Sequence, residues 1–109
     1  MPARINYYLA GKFFEVITIM PTVWIPSLAQ RATGAPERVA VPKGTLRQII
    51  RNLEELHPGL WNELMDQDED RIKPEIAVAI DGETNHLGLI QRVEETSEVH
   101  FIPAIGGGN

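Results

Sequence analysis

The chain is predicted to be α+β, a small mixed sheet with one main helix packed across it. Three observations carry this. Leu46, Ile49, Ile50, Leu53 and Leu56 recur at helical spacing and form the strongest amphipathic run of the sequence. Short β-branched runs bounded by turn signals lie on both sides of it. With 109 residues, 43% of them apolar, there is material for one modest core. A helix with a single apolar stripe has to bury it, and a sheet face is the economical place.

Residues 1–19 read as an N-terminal extension ahead of a domain at 20–109. Ile5 to Leu9 and Phe13 to Ile19 are rich in aromatic and β-branched residues, and Ala10-Gly11-Lys12 is suited to closing them into a hairpin. Such a hairpin would add strands to a sheet edge. A second reading stays open: Met20-Pro21 is the natural start, and the extension comes from an upstream start codon.

From Met20 the pattern is orderly. Thr22 to Ile25 reads as a strand, Pro26 to Pro36 as a loop, and Glu37 to Val41 as a strand with Val39 and Val41 on one face. Pro42-Lys43-Gly44 breaks that strand. Thr45 with Gln48 makes a capping box for the main helix, which His57-Pro58-Gly59 ends. Leu60 to Met65 is expected to form a short helical turn, and Asp66 to Asp70 a solvated acidic loop. Glu75 to Ile80 reads as a strand with Ile76, Val78 and Ile80 facing one way, followed by a turn at Asp81-Gly82. Leu87 to Val93 is an irregular connection, and Glu98 to Ile102 is the closing strand.

Composition narrows the function classes. The net charge is −5 and the basic residues are scattered singly, whereas a nucleic-acid partner needs a clustered basic face. Without cysteine there is no disulfide framework, no thiol nucleophile and no thiolate metal site. No apolar run approaches the roughly 20 residues that span a bilayer, and the N-terminus does not read as a signal peptide. A soluble, cytoplasmic protein is expected, with no membrane or nucleic-acid partner. His57, His86 and His100 share no ligand-like spacing, so no metal is expected. The pairs Glu54-Glu55 and Glu94-Glu95 sit on adjacent positions that point apart and read as solvated. No base is paired with a nucleophile, so a conventional hydrolytic enzyme is not expected.

The C-terminal segment FIPAIGGGN is the most informative stretch. A strand runs through the prolyl turn at Pro103 into three glycines with no polar spacer. Glycines have no side chain to pack and lose the most backbone entropy on ordering, so a flexible tail is expected. A tail this thin fits another protein's active site, which points to chemistry at a glycine carboxylate. The plain alternative is a frayed end or a cloning scar. Trp24, Trp61 and Phe101 are each readable as core or as partner contact; core is favoured for Phe101, and Trp24 stays open.

The element order, VPKGTLRQII leading into the helix, LHPGL leaving it, RIKPEIAVAIDGE, and above all EVHFIPAIGGG resemble the MoaD/ThiS group of ubiquitin-like, β-grasp sulfur carriers. The resemblance spans Met20 to Gly108. Its most similar variety is the sulfur carrier of the cysteine-synthesis pathway, with the small subunit of molybdopterin synthase next. It implies a carrier, not an enzyme, with no bound cofactor. The terminal glycine of such a carrier is adenylated with ATP by a ubiquitin-activating-type adenylyltransferase and becomes a thiocarboxylate. Matched to the motif, the paired glycines are Gly107 and Gly108. The resemblance further implies a sulfur-accepting synthase as partner, either a cysteine synthase or the molybdopterin synthase large subunit. Partners would grip the sheet face leading to the tail, which makes Phe101, Ile102, Pro103, Ile105 and Gly106 the contact candidates.

Three departures stand out. Asn109 follows the paired glycines, so removal by a peptidase, a zinc metalloprotease of the JAMM type, is expected. Gly106 stands where the family commonly has alanine, and Glu95-Thr96-Ser97 replaces an acidic-glycine-acidic turn. The alternative function is a ubiquitin-like protein modifier or a non-catalytic binding module, which would carry the same tail.

Overall fold

The computed structural model describes residues 19–84 and 86–104 in full and the backbone of 5–9 and 12–16. Strands β1 (Ile5–Leu9) and β2 (Lys12–Val16) pair antiparallel, with Ile5 opposite Val16 and Leu9 opposite Lys12. The expectation that this hairpin adds strands to an edge of the main sheet is corrected: the two strands form a two-stranded sheet of their own. The chain continues through β3 (Thr22–Trp24), α1 (Ser27–Thr33), β4 (Arg38–Ala40), β5 (Gly44–Thr45) and α2 (Leu46–Leu56). Then come α3 (Leu60–Leu64), β6 (Ile76–Ile80), β7 (Glu83–Thr84), a 3-10 turn (Gly88–Ile90), β8 (Arg92–Val93) and β9 (Glu98–Pro103).

The main sheet has five strands in the order β4-β3-β9-β6-β7. Its central pair, β3 and β9, is parallel, with Val23 beside Val99, and the other ladders are antiparallel. A separate short ladder joins β5 to β8 beside the start of α2. The expected α+β architecture is therefore present, with one main helix lying over a mixed sheet.

Helix α2 starts as its sequence demands. The Gln48 backbone N–H donates to Thr45 Oγ1 at 3.2 Å, and the Thr45 N–H donates to Gln48 Oε1 at 2.9 Å, completing the capping box. Leu46, Ile49, Ile50 and Leu53 are fully buried. Each burial is worth about 1.5–3 kcal/mol, which makes this stripe the main anchor of the core. Leu56 departs from expectation and is exposed, because it falls at the edge of the stripe in the last turn, just before Pro58. Val23, Val78, Val99 and Phe101 meet the helix from the sheet in one continuous cluster, with Ile76 and Ile80 packed against it. Val39 and Val41 are both buried, as their shared face predicted.

Two further readings are corrected. The stretch Pro26 to Pro36, expected as a loop, contains α1, which ends at Gly34 in the left-handed region (φ 81°) with its N–H bonded to Gln30 O at 2.7 Å. Only Ala29 of α1 is buried, so the helix had no apolar stripe to announce it. It is held by packing on α3, where Gly59 (φ 109°) approaches Thr33 so closely that a Cβ would lie 2.9 Å from Cγ2. Glu54, read as solvated, instead accepts from the Gly59 N–H at 3.0 Å and the Trp61 N–H at 2.8 Å. Its carboxylate thereby satisfies free donors at the start of α3, a helix with no cap from its own preceding residue.

The acidic stretch Asp66 to Asp70 is exposed beyond Asp66, as expected, but it is tied down. Asp66 accepts from the N–H groups of Asp68 and Glu69 and from Arg71 Nε. Asp70 receives a two-pronged bond from Arg47 of α2, at 2.7 and 2.6 Å. In the Glu95-Thr96-Ser97 turn, Ser97 takes over the structural role: it is buried and its Oγ accepts from the Glu94 N–H at 3.0 Å.

Candidate functional site

Strand β9 alternates faces. Val99 and Phe101 point into the core, while Glu98, His100 and Ile102 lie on the open face of the sheet. Phe101 is 4% exposed against 44% for Ile102, so of these neighbours only Ile102 offers a side chain to a partner. The contact assignment of Phe101 is thereby corrected: the two-residue period of the strand turns it inward, opposite Val78. Ile102 and Pro103 are exposed at the end of the strand. Past Pro103 the ladder adds one more bond, from the Ala104 N–H to Glu75 O at 2.9 Å. The root of the tail is thus stitched to β6, while Ile105, Gly106, Gly107, Gly108 and Asn109 lie outside the described residues.

A row of side chains crosses the open face upstream of this root. Arg38, Trp24 and His100 occupy matching positions on β4, β3 and β9. The Trp24 and His100 rings stack with centroids 5.2 Å apart and planes 9° from parallel, and the Arg38 guanidinium sits 5.3 Å above the Trp24 ring. Trp24 Nε1 donates to Glu98 Oε1 at 3.1 Å. Trp24, left open in the sequence, belongs to this outer face. Its aromatic surface is covered by neighbours of the same sheet, so it braces the three strands that carry the tail.

The sequence reading missed Leu28, on the helix it did not predict, which is 70% exposed beside the end of β9. The overlooked signal was Gly34, a helix-ending glycine after a run of helix formers. Asp70 is held below the usual carboxylate range, first by its bond from Arg47 and then by that residue's charge and the charge of Arg51. Asp66 is lowered chiefly by the Asp68 N–H, with Arg71 assisting. Both carboxylates tie down the loop that follows α3. Among the described residues no three His, Asp or Glu side chains are placed to share a metal ion, and no helix is long and apolar enough to cross a membrane.

A mixed five-stranded sheet with β9 at its centre and one main helix packed across it defines a ubiquitin-like, β-grasp protein. The ThiS family model matches residues 23–108, and the chain belongs to this family of ubiquitin-like, β-grasp sulfur carriers. Its members are small carrier proteins, not catalysts. Among solved structures, the chain is similar to the Amycolatopsis orientalis BexX/CysO complex, at 27% identity and TM-score 0.69 over 81% of this chain and 99% of that one. It is similar as well to Mycobacterium tuberculosis CysO, at 25% identity and TM-score 0.71 over 78% of this chain and 99% of that one. SAMP1 from Haloferax volcanii shares the fold, at 20% identity and TM-score 0.64 over 81% of this chain and 98% of that one. A search of curated proteins found no match.

Proposed function

We propose that this chain carries sulfur on the carboxylate of Gly108, after Asn109 has been removed by a peptidase of the JAMM type. The observation that carries the reading is the passage of the central strand β9, through Ile102 and Pro103, into the paired glycines Gly107 and Gly108. A carboxylate oxygen of Gly108 attacks the α-phosphate of ATP on a ubiquitin-activating-type adenylyltransferase, and pyrophosphate leaves. Sulfide then attacks the acyl carbon, AMP leaves, and a thiocarboxylate remains. This nucleophile passes its sulfur to a synthase, either a cysteine synthase or the molybdopterin synthase large subunit. Similarity to CysO, and to a CysO in complex with BexX, supports a carrier that docks on the enzymes it serves. ATP is consumed by the activating enzyme, the carrier itself holds no cofactor, and the cytoplasm is the compartment that fits.

Glycine at 107 and 108 lets a narrow channel close around the backbone with no Cβ in the way. Ile102 and Pro103, with Ile105 and Gly106 after them, are the contacts that aim it. The test is intact mass of the version ending at Gly108 after incubation with the activating enzyme, ATP and sulfide. A gain of about 16 Da, oxygen replaced by sulfur, is the expected result. No gain with a demonstrably active enzyme overturns the carrier reading, and Gly108 isopeptide-linked to lysine in lysate would establish a modifier in its place.

A further inference from the structure

Beside the root of the tail lies a groove of about 240 Å³. One wall is α1, with exposed Leu28 and buried Ala29, and the other is the end of β9, Ile102 and Pro103; Ile76 also lines it. Leu28 at 70% exposure and Ile102 at 44% are large apolar side chains that the fold leaves in water on its two rims. The volume is below the roughly 300–1,000 Å³ of small-molecule pockets, so the groove suits a protruding side chain better than a metabolite.

What occupies it follows from the reach of the tail. Gly108 is five residues past Pro103. Fully extended, five residues span at most about 18 Å, whereas even a small domain is about 30 Å across. Any protein that encloses Gly108 is therefore pressed against the body at Pro103. A peptide tail of this length also buries much less than the roughly 800 Å² per partner of a stable interface, so body surface has to supply the remainder. On the sheet face the aromatic surface of Trp24 is already stacked on His100 and overlaid by Arg38, whereas Leu28 is bare. Glu63 and Glu75 outnumber Lys73 along the groove, which favours positive charge around the occupant.

We infer that this groove is a second docking point for the adenylating enzyme: it receives one apolar side chain, of leucine or aromatic size and flanked by a basic group, from the rim of that enzyme's tail channel. The inference rests on the carrier reading. Leu28 is then a specificity contact, and α1 is the element that distinguishes this carrier's partner from one that grips the tail alone.

The experiment is steady-state thiocarboxylate formation, read as the 16 Da mass gain, on the version ending at Gly108. Native protein, Leu28→Glu, Leu28→Met and Leu56→Glu are compared, with thermal unfolding confirming that each is folded. Leu56 is an exposed leucine at the far end of α2 and serves as the control for added charge. The expected result is a KM for Leu28→Glu raised about tenfold or more with kcat little changed, a much smaller rise for the conservative Leu28→Met, and native values for Leu56→Glu. A KM for Leu28→Glu within about twofold of native overturns the groove while leaving the carrier reading intact. An equal rise in Leu56→Glu overturns it too, since the effect would then be one of charge alone. Failure of the native protein to charge overturns the carrier reading, and the groove's role falls with it.

Discussion

Trp24 and His100 lie face to face on neighbouring parallel strands, with ring centroids 5.2 Å apart and planes within 9° of parallel, on the open side of the sheet. Because Trp24 and His100 are 76 positions apart in the sequence (100 − 24), the stack clamps the two ends of the domain together. An aromatic pair contributes about 0.5–1.5 kcal/mol beyond its area. His100→Ala and Trp24→Ala should therefore each lower the midpoint of urea unfolding, and a double-mutant cycle should return a coupling of about 1 kcal/mol.

Glu54 gives a sharper test of local structure, since one carboxylate oxygen serves two backbone donors, Gly59 and Trp61. Glu54→Ala leaves both half-buried N–H groups without that acceptor and should cost about 1–2 kcal/mol. Glu54→Gln keeps an oxygen in place and should recover a large part of the loss. Equal damage from the two substitutions, measured by urea titration, would contradict the role assigned to the oxygen.

Acid should weaken the fold through the loop that follows α3. Asp70 is lowered first by the hydrogen bond from Arg47, and Asp66 first by the Asp68 N–H. A carboxylate with a depressed folded-state pKa contributes its stability above the unfolded-state value and loses it as pH falls through the folded-state value. The loss should therefore begin near pH 4 and continue below it. Asp70→Asn should have a lower melting temperature than the native protein at pH 7, and the difference should shrink as the pH is taken below the usual carboxylate range.

Phe101 and Ile102 are adjacent and should behave as opposites. Phe101→Ala removes a buried ring and should cost about 3–5 kcal/mol. Ile102→Asp changes an exposed side chain and should alter stability by about 0.5 kcal/mol or less. The same variant should impair charging of Gly108 by the activating enzyme. Circular dichroism melts alongside the mass assay separate the two effects.

The main helix was legible because its information is local: Thr45 and Gln48 are three residues apart, and its apolar stripe repeats within four turns. Strand β9 was legible for the same reason, by the alternation of Val99 and Phe101 with His100 and Ile102. Helix α1 was not, because it buries one alanine and its support is the distant approach of Gly59 to Thr33. The partner of Glu54 was equally hidden, since an acid followed by another acid looks solvated until the turn at Gly59 brings two donors back to it. At the site, the paired glycines were visible in the sequence itself. The geometry beside them was not: Leu28 meets Ile102 across a groove only once the sheet has joined segments from opposite ends of the chain.

The central position of β9 has a mechanical consequence. A force applied along β9 at Pro103 is carried by a strand flanked by β3 on one side and β6 on the other, with the load parallel to both ladders. Its hydrogen bonds are strained together in shear, and none can be peeled away singly from an exposed margin. A pull along β9 is therefore met by both ladders at once, and the body keeps its shape under the load.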